Sequence, residues 1–108
     1  MWVLGYVVMP DHVHLIMVLR GKHDLATVVR LWKGYSSRVI GRESGAEGPV
    51  WQDGYYDHMI RNSRDLLNWI DYVHHNPVGK ELVGLAEDYQ FSTASPRCAG
   101  DVDAWWMV

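Results

Sequence analysis

The chain predicts an α+β domain on three observations. Two β-rich runs, Trp2 to Met9 and Val13 to Leu19, flank the turn signal Pro10-Asp11. Two further segments repeat apolar residues every three or four positions, as amphipathic helices do. The strands come first and pair locally, so the sheet is expected to be antiparallel, with the helices following.

The first run is rich in Val3, Tyr6, Val7 and Val8, and the second is nearly unbroken apolar, which suits a strand buried on both faces. Together they read as a hairpin with His12 and His14 at the start of its second strand. Arg20 to His23 form a polar turn. Asp24 is a fair N-cap for a helix through Leu25, Val28, Val29 and Trp32. Gly41 to Pro49 holds three glycines and a proline and reads as a mobile surface loop. Val50 to Ile60 reads as another strand or extended segment.

Ser63 is then expected to cap a helix starting at Arg64 or Asp65, burying Leu66, Ile70 and Val73. Asn68, Tyr72 and His75 or Asn76 line its other face. Asn76-Pro77 reads as the end of that helix and the start of a short second one, Pro77 to Val83. From Gly84 onward periodicity fades. The acidic C-terminal segment ends in Trp105-Trp106-Met107-Val108, readable only as a packing or contact patch.

The 108 residues fit one modest core, and 48% apolar with 21% charged residues is ordinary for a folded soluble chain. The lone Cys98 excludes an intrachain disulfide framework, so a reducing cytoplasm is the expected location. No run has the length of a membrane span, and the N-terminus lacks a basic leader and a cleavage site. No membrane association is expected.

The net charge of −3 conceals an asymmetry. Residues 1–42 carry six Lys/Arg against two Asp/Glu, and residues 43–108 carry four against eleven. The basic share, Arg20 to Arg42, surrounds and follows the histidine strand, where a polyanion would need it. A solvated helix face would look much the same.

The chemistry centres on His12-Val13-His14 and on Tyr72 with Asn76. Residues two apart on a strand share a face, so the two imidazoles stand side by side. Residues four apart on a helix do likewise, so Tyr72 and Asn76 present a phenol and an amide together. Two histidines opening an apolar strand need partners, and a divalent ion would satisfy both; they can also be plain polar residues at a strand end. A phenol titrates near ~10 and needs a metal or base to become a nucleophile. Tyr72 can equally be a half-buried packing residue. His75, three residues on, is the better placed of the adjacent histidines to assist it. By spacing alone Asn76 reads first as a helix cap before Pro77. Most aromatics read as core. Tyr55 and Tyr56, just after Gly54, are the pair suited to stacking on unpaired bases.

Five segments, taken in order, resemble the REP-associated tyrosine transposases, a branch of the single-tyrosine HUH endonucleases. They are Tyr6-Val7-Val8-Met9-Pro10-Asp11-His12-Val13-His14-Leu15, Leu31-Trp32-Lys33-Gly34-Tyr35-Ser36-Ser37-Arg38, Val50-Trp51-Gln52-Asp53-Gly54-Tyr55-Tyr56-Asp57-His58, Asp71-Tyr72-Val73-His74-His75-Asn76-Pro77-Val78 and Tyr89-Gln90-Phe91-Ser92. The likeness covers roughly residues 2–94, giving an expected domain over 1–94 and a tail over 95–108.

The resemblance implies a ferredoxin-like antiparallel sheet with helices packed on one face. It makes His12 and His14 metal ligands, Asn76 the third ligand and Tyr72 the nucleophile. It implies Mg²⁺ or Mn²⁺ as the ion, and single-stranded or hairpin DNA, such as a repetitive extragenic palindrome, as substrate. The reaction implied is nicking and strand transfer through a 5′-phosphotyrosine. Lys33 and Arg38 become candidates for holding the DNA backbone, or are simply exposed helix charges.

Members of that family begin with a strand and helix before the hairpin, whereas this chain starts at the hairpin. The expected consequence is two unpaired sheet edges, an uncovered apolar face and a partner strand gained by homodimerisation or swapping. Two other readings stand beside the nuclease: a catalytically inactive DNA-binding or self-associating remnant, and an unrelated metal-dependent hydrolase using His12 and His14.

Overall fold

The computed structural model describes residues 1–45 and 48–103. The Trp105-Trp106-Met107-Val108 terminus lies outside the described residues. The fold is α+β: strands β1 (Trp2–Val8) and β2 (Val13–Val18), helices α1 (Leu25–Ser44) and α2 (Ser63–Gly79), and single 3₁₀ turns at Ala86–Asp88 and Ala99–Asp101. The chain forms two compact units, one from residues 1–20 with 60 onward and one from residues 21–59.

In the first unit β1 and β2 pair antiparallel, with Val7 opposite His14 and Gly5 opposite Ile16. The register shifts between Val3 and Gly5, leaving Leu4 as an extra residue. A bulge of this kind changes the phase of alternation. Leu4 and Val7, three apart, can therefore both enter the core, where they join Met9, Ile16 and Val73. Val73 comes from α2, which lies against the sheet face carrying Ile16; Ile70, Leu66 and Trp69 pack around it.

β2 is not buried on both faces as its composition suggested; only Ile16 is buried and the rest are half-buried. A run of apolar residues cannot distinguish a strand within a large sandwich from one in a two-stranded sheet covered on one side.

The outer edge of β1 is occupied by chain from far downstream. Val8 N–H donates to the Phe91 carbonyl at 2.8 Å, Thr93 N–H to the Tyr6 carbonyl at 3.0 Å, and Asp103 N–H to the Val3 carbonyl at 2.8 Å. Ser92, Thr93 and Ser95 are buried beneath this contact. The expectation of two unpaired edges therefore fails at β1. No strand pairs with the outer edge of β2 among the described residues.

Helix α2 begins one residue earlier than expected. Asn62, not Ser63, is the N-cap, its side-chain oxygen accepting the Asp65 N–H at 2.8 Å. The helix also runs through Pro77 to Gly79 without stopping at Asn76. Proline removes one backbone donor from a helix. Here the cost is confined to the last turn, and the Pro77 ring is buried. The carbonyls of Asn76, Pro77 and Val78 accept from Lys80, Leu82 and Glu81.

In the second unit Asp24 caps α1 as expected, accepting the Thr27 N–H at 2.9 Å. The helix continues past Gly41 to Ser44 and closes on Gly45, left-handed at φ 67°, whose N–H reaches the Gly41 carbonyl. Residues 50–60 form no strand. Trp51 packs on a helix instead of pairing in a ladder: its ring lies 4.8 Å from that of Trp32 on α1, and its indole N–H donates to the Ser36 hydroxyl at 2.8 Å.

Candidate active site

Four side chains singled out by spacing come together in the first unit. His12 sits at the last residue of the hairpin turn, its carbonyl accepting the Met9 N–H at 2.8 Å, and His14 is the second residue of β2. Their rings meet edge to face with centroids 4.8 Å apart. His14, Ile16 and Val18 share the face of β2 that meets α2, because alternate strand residues point the same way. The apolar contacts that seat α2 on the sheet thus carry His14 to the exposed side of the helix. There the Tyr72 ring stands 5.6 Å from the His14 ring and 5.5 Å from the Trp69 ring, edge to face with both. One turn further along α2, the Asn76 amide nitrogen lies 3.4 Å from His14 Nε2.

The polar environment of each group can be stated. Asp11 lies 2.6 Å from His12 Nδ1, and this bond holds the Asp11 carboxyl below the usual carboxylate range. A proton held at Nδ1 leaves Nε2 as the lone-pair nitrogen, the way carboxylates orient metal-binding histidines. Burial first, and neighbouring His12 second, hold the His14 imidazole below its ordinary range, favouring the neutral ring that can act as a ligand. Tyr72 is 51% exposed, so the side chain is open to solvent.

Asn76 does not cap the helix; its side-chain oxygen is buried without a hydrogen-bond partner. An unpaired buried oxygen is costly. With the amide turned so that this oxygen rather than the nitrogen faces His14, an ion held with His12 and His14 would give it a partner, since amide oxygen and imidazole nitrogen both suit divalent ions. The donor set therefore fits a metal. It consists of two imidazoles and one amide; no cluster of three His, Cys, Asp or Glu capable of holding an ion occurs among the described residues.

The remaining candidates lie elsewhere. His75 is exposed, its ring near Gly79, one turn toward the helix C-terminus. His74 turns toward the downstream chain, its Nε2 2.7 Å from the Thr93 hydroxyl, and burial lowers its pKa. Lys33, Arg38, Tyr55 and Tyr56 all belong to the second unit. Lys33 donates to the carbonyls of Gln52 and Gly54. Arg38 is exposed, with its guanidinium close enough to Gly34 that a side chain there would touch it. Tyr55 is partly and Tyr56 fully exposed. Asp11, in contact with His12, is a further candidate that the spacing did not single out, although its adjacency to His12 was the available signal.

A hairpin carrying a His-x-His pair packs on a helix that presents a tyrosine and an amide beside it, and comparison with known proteins places the chain in a family. The family described as Transposase IS200 like matches residues 1–76. The chain belongs to the IS200-like transposase family. It is 30% identical over 96 residues to a putative REP-associated tyrosine transposase of Haemophilus influenzae, covering 80% of this chain and 54% of that protein. It is 33% identical over 90 residues to a REP-associated tyrosine transposase of Escherichia coli K12, covering 82% of this chain and 52% of that protein. The chain thus spans about half the length of these relatives. No solved structure matches it. No helix among the described residues is long and apolar enough to cross a membrane.

Proposed function

We propose that this chain carries the catalytic residues of a tyrosine transposase that nicks single-stranded or hairpin DNA, of the repetitive extragenic palindrome kind, and rejoins the ends. The observation that carries the reading is the convergence of Tyr72, His14 and Asn76, with an unpartnered amide oxygen among them.

His12, His14 and Asn76 would hold Mg²⁺ or Mn²⁺, which when bound polarises a phosphate oxygen. Asp11 keeps the lone pair of His12 on Nε2. Burial keeps His14 neutral. Trp69 and His14 each meet the Tyr72 ring edge to face and limit its rotation. Tyr72 Oη attacks phosphorus and loses its proton. The new O–P bond forms as the bond to the 3′-oxygen breaks, and that oxygen leaves as a 3′-hydroxyl. The 5′-phosphotyrosine retains a phosphodiester bond, so attack by another 3′-hydroxyl reverses the step and transfers the strand.

Incubation of the chain with end-labelled hairpin DNA and Mn²⁺ tests this. Cleavage that needs the ion and is lost in Tyr72→Phe is the expected result. Cleavage surviving Tyr72→Phe would indicate a metal-dependent hydrolase instead. Salt-sensitive binding without cleavage would indicate an inactive DNA-binding remnant.

A further inference from the structure

Lys33 looks at first like a backbone-phosphate contact, but its ammonium is already engaged. It donates to the Gln52 carbonyl at 2.9 Å and to the Gly54 carbonyl, two residues apart on the segment that follows α1. Beside it the Trp51 ring lies 4.8 Å from Trp32, and the Trp51 N–H holds the Ser36 hydroxyl at 2.8 Å. Lys33 and Ser36 are one turn apart on α1, so the helix grips this segment at successive points on one face. Gly54, at φ 82°, takes a left-handed turn that most side chains resist, and the chain emerges into Tyr55 and Tyr56. Together α1 and the segment border a groove of about 380 Å³.

An ammonium already donating to two backbone carbonyls orders a loop; it is poorly placed to track a mobile phosphate. We propose that Lys33 is a positioning residue, which locks residues 51–54 onto α1 so that Tyr55 and Tyr56 form a fixed aromatic platform for unpaired bases. This rests on the DNA reading given above. Ordering the backbone that leads into the rings lowers the entropy cost of binding, and base stacking on such rings is indifferent to sequence.

The test measures hairpin DNA affinity against salt for the full chain, Lys33→Met, Lys33→Arg, Tyr55→Ala/Tyr56→Ala and the triple variant. Chymotryptic cleavage after Tyr55 and Tyr56 is mapped by mass spectrometry in parallel. Lys33→Met is expected to speed cleavage there and to weaken binding about tenfold, the scale of one lost base stack. It should leave the salt slope unchanged and add nothing in the triple variant, and Lys33→Arg should restore much of the loss. Unchanged cleavage with a salt slope reduced by about 1 would overturn the proposal and make Lys33 a phosphate contact. Failure of the unaltered chain to bind the hairpin would overturn the DNA reading and the platform together.

Discussion

Asn76 shows most directly how a single residue distinguishes function from packing. Its buried oxygen has no partner, and its nitrogen makes one long contact, 3.4 Å, with His14. Removing such an amide should cost the metal-free fold little, because few native bonds are lost. It should cost metal affinity a good deal. Asn76→Ala is expected to shift the metal-free melting temperature only slightly while weakening Mn²⁺ binding by calorimetry at least tenfold, as losing even an outer-shell partner can. A large drop in melting temperature with unchanged Mn²⁺ affinity would make Asn76 an ordinary structural residue. The His-x-His face was legible in sequence because strand alternation is local. The meeting of His14 with Tyr72 was not, since it depends on how Val73 and Ile16 seat α2 on the sheet.

Among the elements, the unexpected one is the chain beyond α2. Thr93 ties three parts together: its hydroxyl oxygen accepts the Tyr6 N–H at 3.0 Å and lies 2.7 Å from His74 Nε2 on α2. Thr93→Val keeps the shape and removes these bonds from a buried position. It should destabilise the domain by about 1–3 kcal/mol in urea unfolding, the cost of leaving buried polar groups unpaired. A change within a few tenths would mean that the clasp contributes nothing. No periodicity announced this contact, because a single bridge between residues far apart in sequence leaves no repeat to read. The Lys33 contacts were hidden for a related reason: backbone carbonyl acceptors carry no residue signature. Pro77 misled in the other direction. The rule that proline ends a helix is a local preference, overridden here by burial of the ring in the final turn.

At the scale of the whole molecule, the hairpin and the Asp24 cap were legible because their signals are local. The joining of the two termini was not. Tyr6 donates its hydroxyl hydrogen bond to Asp101, and burial first, then this bond, pushes the phenol above its ordinary range. In the unfolded chain a tyrosine titrates near ~10. The Tyr6 contribution to stability is therefore complete below about pH 10 and is lost as pH rises through the raised folded value. The difference in urea midpoint between the unaltered chain and Tyr6→Phe should shrink between pH 8 and pH 11; a constant difference would contradict the assignment.

Covalent joining of Tyr72 to DNA, as proposed above, has one direct test. The full chain is incubated with hairpin DNA and Mn²⁺, denatured, digested with nuclease and protease, and analysed by mass spectrometry. A nucleotide attached to the peptide containing Tyr72 is expected, and its absence when Mn²⁺ is chelated. Cleaved DNA with an unmodified Tyr72 peptide, or a nucleotide attached to another residue, would contradict it.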